Sequence, residues 1–109
     1  MNKNDLTVKE AFILGTKNHK EGKNDIAQEF YNQVLKIDSK HSAALNNLGV
    51  LLKKKGENQK AKDCYEKAIE INPSYAHAHN NLGAIFRILR ENQKAKDCYE
   101  KAIEINPNY

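Results

Sequence analysis

Four histidines and two cysteines are the side chains of this 109-residue chain best suited to metal ligation or nucleophilic chemistry. His77 and His79 form a His-x-His pair, but residues two apart on a helix point to different faces, so their rings do not converge on one ion. His19 and His41 are isolated. Cys64 and Cys98 each follow an aspartate, Asp63 and Asp97. A reactive thiol needs a cation held beside the sulfur, and the sequence fixes none there. Ser or Cys next to a base, a Gly-rich phosphate loop and a paired-carboxylate motif are all missing from the sequence. The chain is therefore read as a non-enzyme, with no metal and no cofactor.

The amides carry a different chemistry. Asn46-Asn47 recurs as Asn80-Asn81. A primary amide offers two donors and an acceptor. Amides at a regular spacing can bond successive peptide units of an extended ligand while ignoring its side chains. The alternative is that the pairs solvate an exposed helix face and were copied together by duplication. Which reading applies depends on the elements that hold them.

Those elements repeat. Residues 57–73 recur without change as 91–107, an offset of 34, and Asn46-Asn47-Leu48-Gly49 recurs at the same offset. A more diverged copy lies upstream, with Leu14-Gly15, Ala27, Tyr31 and Ile37 each 34 residues before Leu48-Gly49, Ala61, Tyr65 and Ile71. A fixed period of 20–50 residues marks a solenoid or array. The repeats run 8–41, 42–75 and 76–109, after a leader of residues 1–7.

Each repeat reads as two helices. Leu45, Leu48, Leu51 and Leu52 recur at helical spacing and stop at Gly56, which can take the left-handed turn cheaply. Ala61, Tyr65, Ala68, Ile69 and Ile71 form a second stripe, with Asn58 as its expected N-cap and Pro73 as its end. Helices are predicted at 6–20, 24–37, 42–54, 58–71, 76–89 and 92–105. Gly15, Gly49 and Gly83 fall inside helices, where glycine costs roughly 1 kcal/mol against alanine. Close approach of the paired helix at Ala27, Ala61 and Ala95 is the expected reason. His79 is expected to fill the core position of Leu45. Arg90 stands where the other hairpins have Gly22 and Gly56. It implies either left-handed strain or a changed turn, and a third hairpin that is the least stable or the most rearranged.

The pattern resembles the tetratricopeptide repeat family. The second repeat supplies Leu45, Leu48-Gly49, Leu52, Ala61, Tyr65, Ala68 and Pro73, and the third supplies His79, Leu82-Gly83, Phe86, Ala95, Tyr99, Ala102 and Pro107. The first departs at Asn18 and Ser39, where an aromatic and a proline are usual. The resemblance implies an all-α, right-handed solenoid of three helix-turn-helix hairpins. Its first helices would line a concave groove that binds a peptide or partner segment.

Carried over by repeat position, that groove takes Lys9, Phe12, Ile13, Thr16, His19 and Lys20 from the first repeat. The second gives Ala43, Asn46, Asn47, Val50, Lys53 and Lys54, and the third His77, Asn80, Asn81, Ala84, Arg87 and Ile88. Asn47 and Asn81 are then similar to the asparagine ladder of O-linked N-acetylglucosamine transferases. Lys9, Lys20, Lys53, Lys54 and Arg87 make the groove basic and suited to acidic peptides, unless they are only a solvated surface. The carboxylate clamp of chaperone-binding members is not expected, because of its matching positions, Phe12, Thr16, Asn47, His77 and Asn81, only Asn47 fits.

The bulk numbers agree with a binding module. Net charge is +4 and sequence pI about 9.0, well short of the basic stripe of a nucleic-acid binder. No stretch reaches the ~20 apolar residues of a membrane span, and no secretory signal leads the chain, so a cytoplasmic protein with reduced thiols is expected. The array stops without a polar cap. The sequence is therefore read as an N-terminal piece of a larger protein, with apolar surface left around Tyr99, Ala102 and Ile103. The alternative is self-association, end to end or by hairpin exchange.

Overall fold

The computed structural model describes residues 6–109 and places them in six helices. These are α1 (Val8–Lys20), α2 (Asn24–Ile37), α3 (Ser42–Lys54), α4 (Asn58–Ile71), α5 (Ala76–Ile88) and α6 (Asn92–Ile105). The predicted bounds agree except at α1 and α5. Of the expected leader, residues 1–5 lie outside the described residues. Leu6 precedes α1 rather than joining it, because Thr7 caps that helix. The Thr7 side chain accepts from the Glu10 N–H and the Glu10 carboxylate accepts from the Thr7 N–H, both at 3.1 Å. Two orphan donors are satisfied reciprocally.

Asn58 is not a cap. It is the first helical residue of α4, and Glu57 holds the N-cap position without a side-chain cap bond. The cap of α3 is His41, whose Nδ1 accepts from the Ala44 N–H at 3.1 Å.

Consecutive helices pair as hairpins, and each hairpin packs on the next through α2–α3 and α4–α5. The array is elongated, 50 × 26 × 22 Å. Between repeats, α3 also touches α5 directly, a contact not matched by α4 with α6, α1 with α3 or α2 with α4. The α3–α5 contact puts the first helices on the inner side in the second and third repeats, and α1 continues that side by repeat position, with α2, α4 and α6 on the outer side.

Tyrosine packing explains the mid-helix glycines. A Cβ on Gly15, Gly49 or Gly83 would lie 2.7, 2.6 or 2.8 Å from the Cε1 of Tyr31, Tyr65 or Tyr99. The rings, not the facing alanines, need the missing side chain, which corrects the sequence expectation. Tyr31 and Tyr65 are fully buried as a result. His79 occupies the core position expected of it, 9% exposed, with Nε2 2.9 Å from the Pro73 carbonyl. In the first repeat Asn18 satisfies itself, donating to the Leu14 carbonyl at 2.8 Å. Phe86 is buried between Lys62 and Lys94, each Nζ 5.6 Å from the ring centroid.

Arg90 adopts the left-handed conformation, φ 62°, like Gly22 at 76° and Gly56 at 80°. The turn itself is unchanged. Arg90 N–H donates to the Arg87 carbonyl at 3.1 Å and Glu91 N–H to that of Phe86 at 2.8 Å, matching the bonds of Gly56 and Glu57. Strain, not rearrangement, is the outcome, and left-handed backbone costs a non-glycine residue about 1–2 kcal/mol. Arg90→Gly is expected to raise stability by about 1 kcal/mol, read as a rise of several degrees in the thermal midpoint. An unchanged or lowered midpoint would show that the side chain offsets its own strain.

The outer helices differ in charge order. α2 has Asp25 in its first turn and Lys36 in its last, the arrangement the helix dipole favours by about 0.3–1 kcal/mol per group. α4 and α6 have no acid in the first turn and no base in the last. They carry Lys60 and Lys94 near the start, and Glu70 and Glu104 near the end.

Candidate functional site

The inner wall is built by α1, α3 and α5, whose outer faces the hairpin packing leaves free. Its floor is polar. Asn46 is 5% exposed and turns inward, because position 46 lies between the core residues Leu45 and Leu48 on one side and the next repeat on the other. Its Oδ1 accepts from Asn81 Nδ2 at 2.9 Å, linking α3 to α5 across 35 residues of chain. Its own Nδ2 reaches Asn47 Oδ1 at 3.4 Å. Asn47 Nδ2 in turn lies 3.5 Å from the Tyr31 hydroxyl, the outer limit of a hydrogen bond. Tyr31 also meets His19 Nδ1 at 3.2 Å. A polar chain therefore runs from the first repeat to the third.

Burial accounts for the state of these groups. Desolvation lowers the His19 pKa below its ordinary value, and the charge of Lys54 adds to the effect. Both effects favour the neutral form of the ring beside Tyr31, whose hydroxyl pKa burial pushes upward, with the Asn47 contact opposing it.

The predicted residues separate into two groups. Asn46, Asn47 and Asn81 come together. Asn80, next to Asn81 but about 100° round the helix, is half-buried against Tyr109, whose hydroxyl pKa is raised by burial and lowered by the Asn80 contact. Phe12 is half-buried, its ring tilted against His41 and Tyr31 with centroids 4.8 and 6.0 Å away. His77 is exposed, its Nδ1 2.6 Å from the Tyr109 hydroxyl. The second group is cationic and spread along the wall. Lys9, Lys20, Lys54 and Arg87 are exposed and Lys53 is half-buried. Among the described residues none of these five forms an ion pair, in contrast to the outer-face lysines 60, 94, 96 and 101. α3 and α5 contain no acidic residue, and the one acid of α1, Glu10, is held by Thr7. The wall is thus a surface of unpaired positive charge beside an amide floor.

Sequence reasoning missed a rim of rings. His41, Tyr75 and Tyr109 occupy one repeat position and lie against Phe12 and His77. Tyr75 also contacts Asn46, and burial raises its hydroxyl pKa while that contact lowers it. The signal was available, since all three are aromatic rings spaced by 34. Both cysteines are free and half-buried, and burial, then the neighbouring aspartate, pushes each thiol pKa up. Among the described residues no group of three His, Cys, Asp or Glu side chains is placed to hold a metal ion. Among the described residues no helix is long and apolar enough to cross a membrane.

A stack of helical hairpins with a polar inner wall defines a helical-repeat scaffold. The tetratricopeptide repeat profile matches residues 42–75 and 76–109, and a second tetratricopeptide profile matches 13–41. The chain belongs to the tetratricopeptide repeat family, whose fold is a protein-interaction scaffold. Two crystal structures of MamA share the fold at 24% identity, with TM-scores of 0.85 and 0.81, covering 94% and 93% of this chain. The chain spans only 60% and 55% of those two proteins. The first tetratricopeptide domain of Spaghetti (RPAP3), solved bound to the HSP90 peptide SRMEEVD, superposes at TM-score 0.86 and 26% identity, covering 95% of this chain and 85% of that one. No curated protein sequence matches this chain.

Proposed function

We propose that the inner wall binds an extended acidic peptide or partner segment. The observation that carries this reading is the run of cations that form no ion pair among the described residues, Lys9, Lys20, Lys53, Lys54 and Arg87, on helices α3 and α5 that have no acid and on α1 whose single acid is occupied. Unneutralised charge along a groove speeds the approach of an oppositely charged segment and fixes its register more than it adds raw affinity. Asn47 and Asn81 supply main-chain contacts beside it, and Phe12, His77 and Tyr109 a ring surface at its edge. Asn46 serves the site indirectly, by holding Asn81 in place. The peptide in the Spaghetti complex, SRMEEVD, is itself acidic. Its terminal carboxylate has no equivalent clamp here, because Phe12, Thr16 and His77 stand where such a clamp needs basic or amide groups. An internal acidic segment is the better fit, in a cytoplasmic protein whose two thiols stay reduced.

Fluorescence anisotropy with an acidic peptide of about ten residues tests the amide contribution, since lost hydrogen bonds of about 0.5–1.5 kcal/mol each predict roughly tenfold weaker binding for Asn47→Ala with Asn81→Ala. Unchanged affinity in the double variant would remove the asparagines from the site. Equal affinity for a charge-neutral peptide of the same length would remove the acidic specificity.

A second reading has its own observation. Ile103 is 50% exposed and Tyr99 half-buried, whereas their counterparts Ile69 and Tyr65 are covered by α5. Ala102, expected to be exposed with them, is buried within its own hairpin at 1%. Self-association through this flank of α6 is the alternative use of the module.

A further inference from the structure

The second and third repeats differ unevenly. Residues 42–56 and 76–90 differ at ten of 15 positions, while 57–73 and 91–107 are identical at all 17. Drift after a duplication would mark both halves. Burial explains the identity of Ala61, Ala68 and their counterparts. It does not explain Lys60, Asp63, Lys67 and Glu70, all exposed and all repeated 34 residues on, although Lys60 and Asp63 make exposed contacts with Glu57 and Gln59 that recur in α6. Exposed substitutions away from special features barely change stability.

These four residues have one geometry. The spacings 60, 63, 67 and 70 are steps of three and four, which place them in one stripe along α4. Asp63, Lys67 and Glu70 line a common cleft with Glu66 and with Ser39 and Lys40 of the α2–α3 turn. The stripe reads plus, minus, plus, minus. It is symmetric about position 65, so an antiparallel copy sets Lys60 opposite Glu70 and Asp63 opposite Lys67. A parallel copy in register would set like charges together. α6 presents the same stripe at Lys94, Asp97, Lys101 and Glu104. In α2 the matching positions are Ile26, Glu29, Gln33 and Lys36, which are not self-complementary. The stripe also runs against the helix dipole, at both ends of both helices. Selection for the isolated fold favours the order seen in α2.

We propose that α4 and α6 form a self-complementary outer ridge that pairs with the ridge of a second copy. α4 lies antiparallel on α4 and α6 on α6, about a two-fold axis along the stacking direction. The contact is isologous. It leaves the inner wall free, so peptide binding and pairing occupy opposite faces. Exposed charge pairs are individually weak and screened, so the dimer is weak and dissolves in salt.

Sedimentation velocity on the whole chain tests this. The wild-type protein dimerises with rising concentration at roughly 10 mM salt and is monomeric at roughly 0.5 M, where charges are screened within a few ångströms. Lys60→Glu with Lys94→Glu sets glutamate against glutamate, and Glu70→Lys with Glu104→Lys sets lysine against lysine. Each double variant, checked for helix content by circular dichroism, pairs with itself at least about tenfold more weakly. An equimolar mixture of the two restores pairing as a mixed dimer. The proposal is overturned by a wild-type monomer at millimolar concentration in low salt. It is equally overturned by reversal variants that self-associate like the wild type, or by a mixture that stays monomeric. Ile103→Glu leaves ridge pairing intact, and loss of the dimer in that variant assigns the association to the α6 flank instead.

Discussion

Gly49→Ala is expected to destabilise the fold by about 2 kcal/mol, although alanine is the better helix former. The two effects oppose each other. Alanine in a helix gains about 1 kcal/mol over glycine. The added Cβ, however, would lie 2.6 Å from Tyr65 Cε1, 2.9 Å from Cδ1 and 3.0 Å from Cζ. Tyr65 is 1% exposed and sits among Leu48, Leu51, Leu52 and Ala61, so its ring has nowhere to swing. Overpacking a closed core costs about 1–3 kcal/mol and sometimes more, and here the upper end applies. Urea unfolding measures the balance. A smaller side chain should relieve it, so Gly49→Ala with Tyr65→Leu should lose less than the two single losses combined. Additive losses, or a stabilised Gly49→Ala, would place the ring elsewhere.

Reversing the wall's charge should abolish acidic-peptide binding while the protein stays folded. Lys53→Glu, Lys54→Glu and Arg87→Glu introduce acids on α3 and α5, which have none. Like-charge juxtaposition costs several kcal/mol, so the triple variant should bind an acidic peptide roughly 100-fold more weakly at low salt. Raising the ionic strength should narrow the gap between variant and wild type. A gap that does not change with salt would mean that shape, not charge, selects the ligand. These side chains make no ion pairs among the described residues, but they are the bases in the last turns of α3 and α5, so the glutamates oppose the helix dipole by about 0.3–1 kcal/mol each. Circular dichroism should show the helices retained, with a lowered thermal midpoint.

Much of the fold was legible because the signals are local and repeated. Gly22 and Gly56 mark left-handed turns, and Arg90 revealed its strain by standing in their place. Pro73 and Pro107 end α4 and α6. The positions of Leu48-Gly49 and Tyr65 place two helices face to face. What sequence could not supply was side-chain direction across repeats. Asn46 and Asn47 are adjacent and chemically identical. Only the pitch between hairpins decides that Asn46 turns inward and receives Asn81. The glycines were readable as sites of close approach, but not the identity of the approaching group, since the alanines and tyrosines lie on the same helix. The caps were misread at Asn58 because a capping-type residue and a helix start differ by one position. His41 was passed over because histidine is an uncommon cap.

The Asn81–Asn46 bond also sets a length scale. Two hairpins packed through apolar contacts alone could slide slightly, since such contacts have little directional preference. A part-buried amide bond of 2.9 Å between them is directional and restrains that play. On the proposed reading of the wall as a peptide groove, the spacing between its second and third repeats is then a fixed interval, and a segment whose acidic groups fall out of step with that interval should bind more weakly than one that matches it.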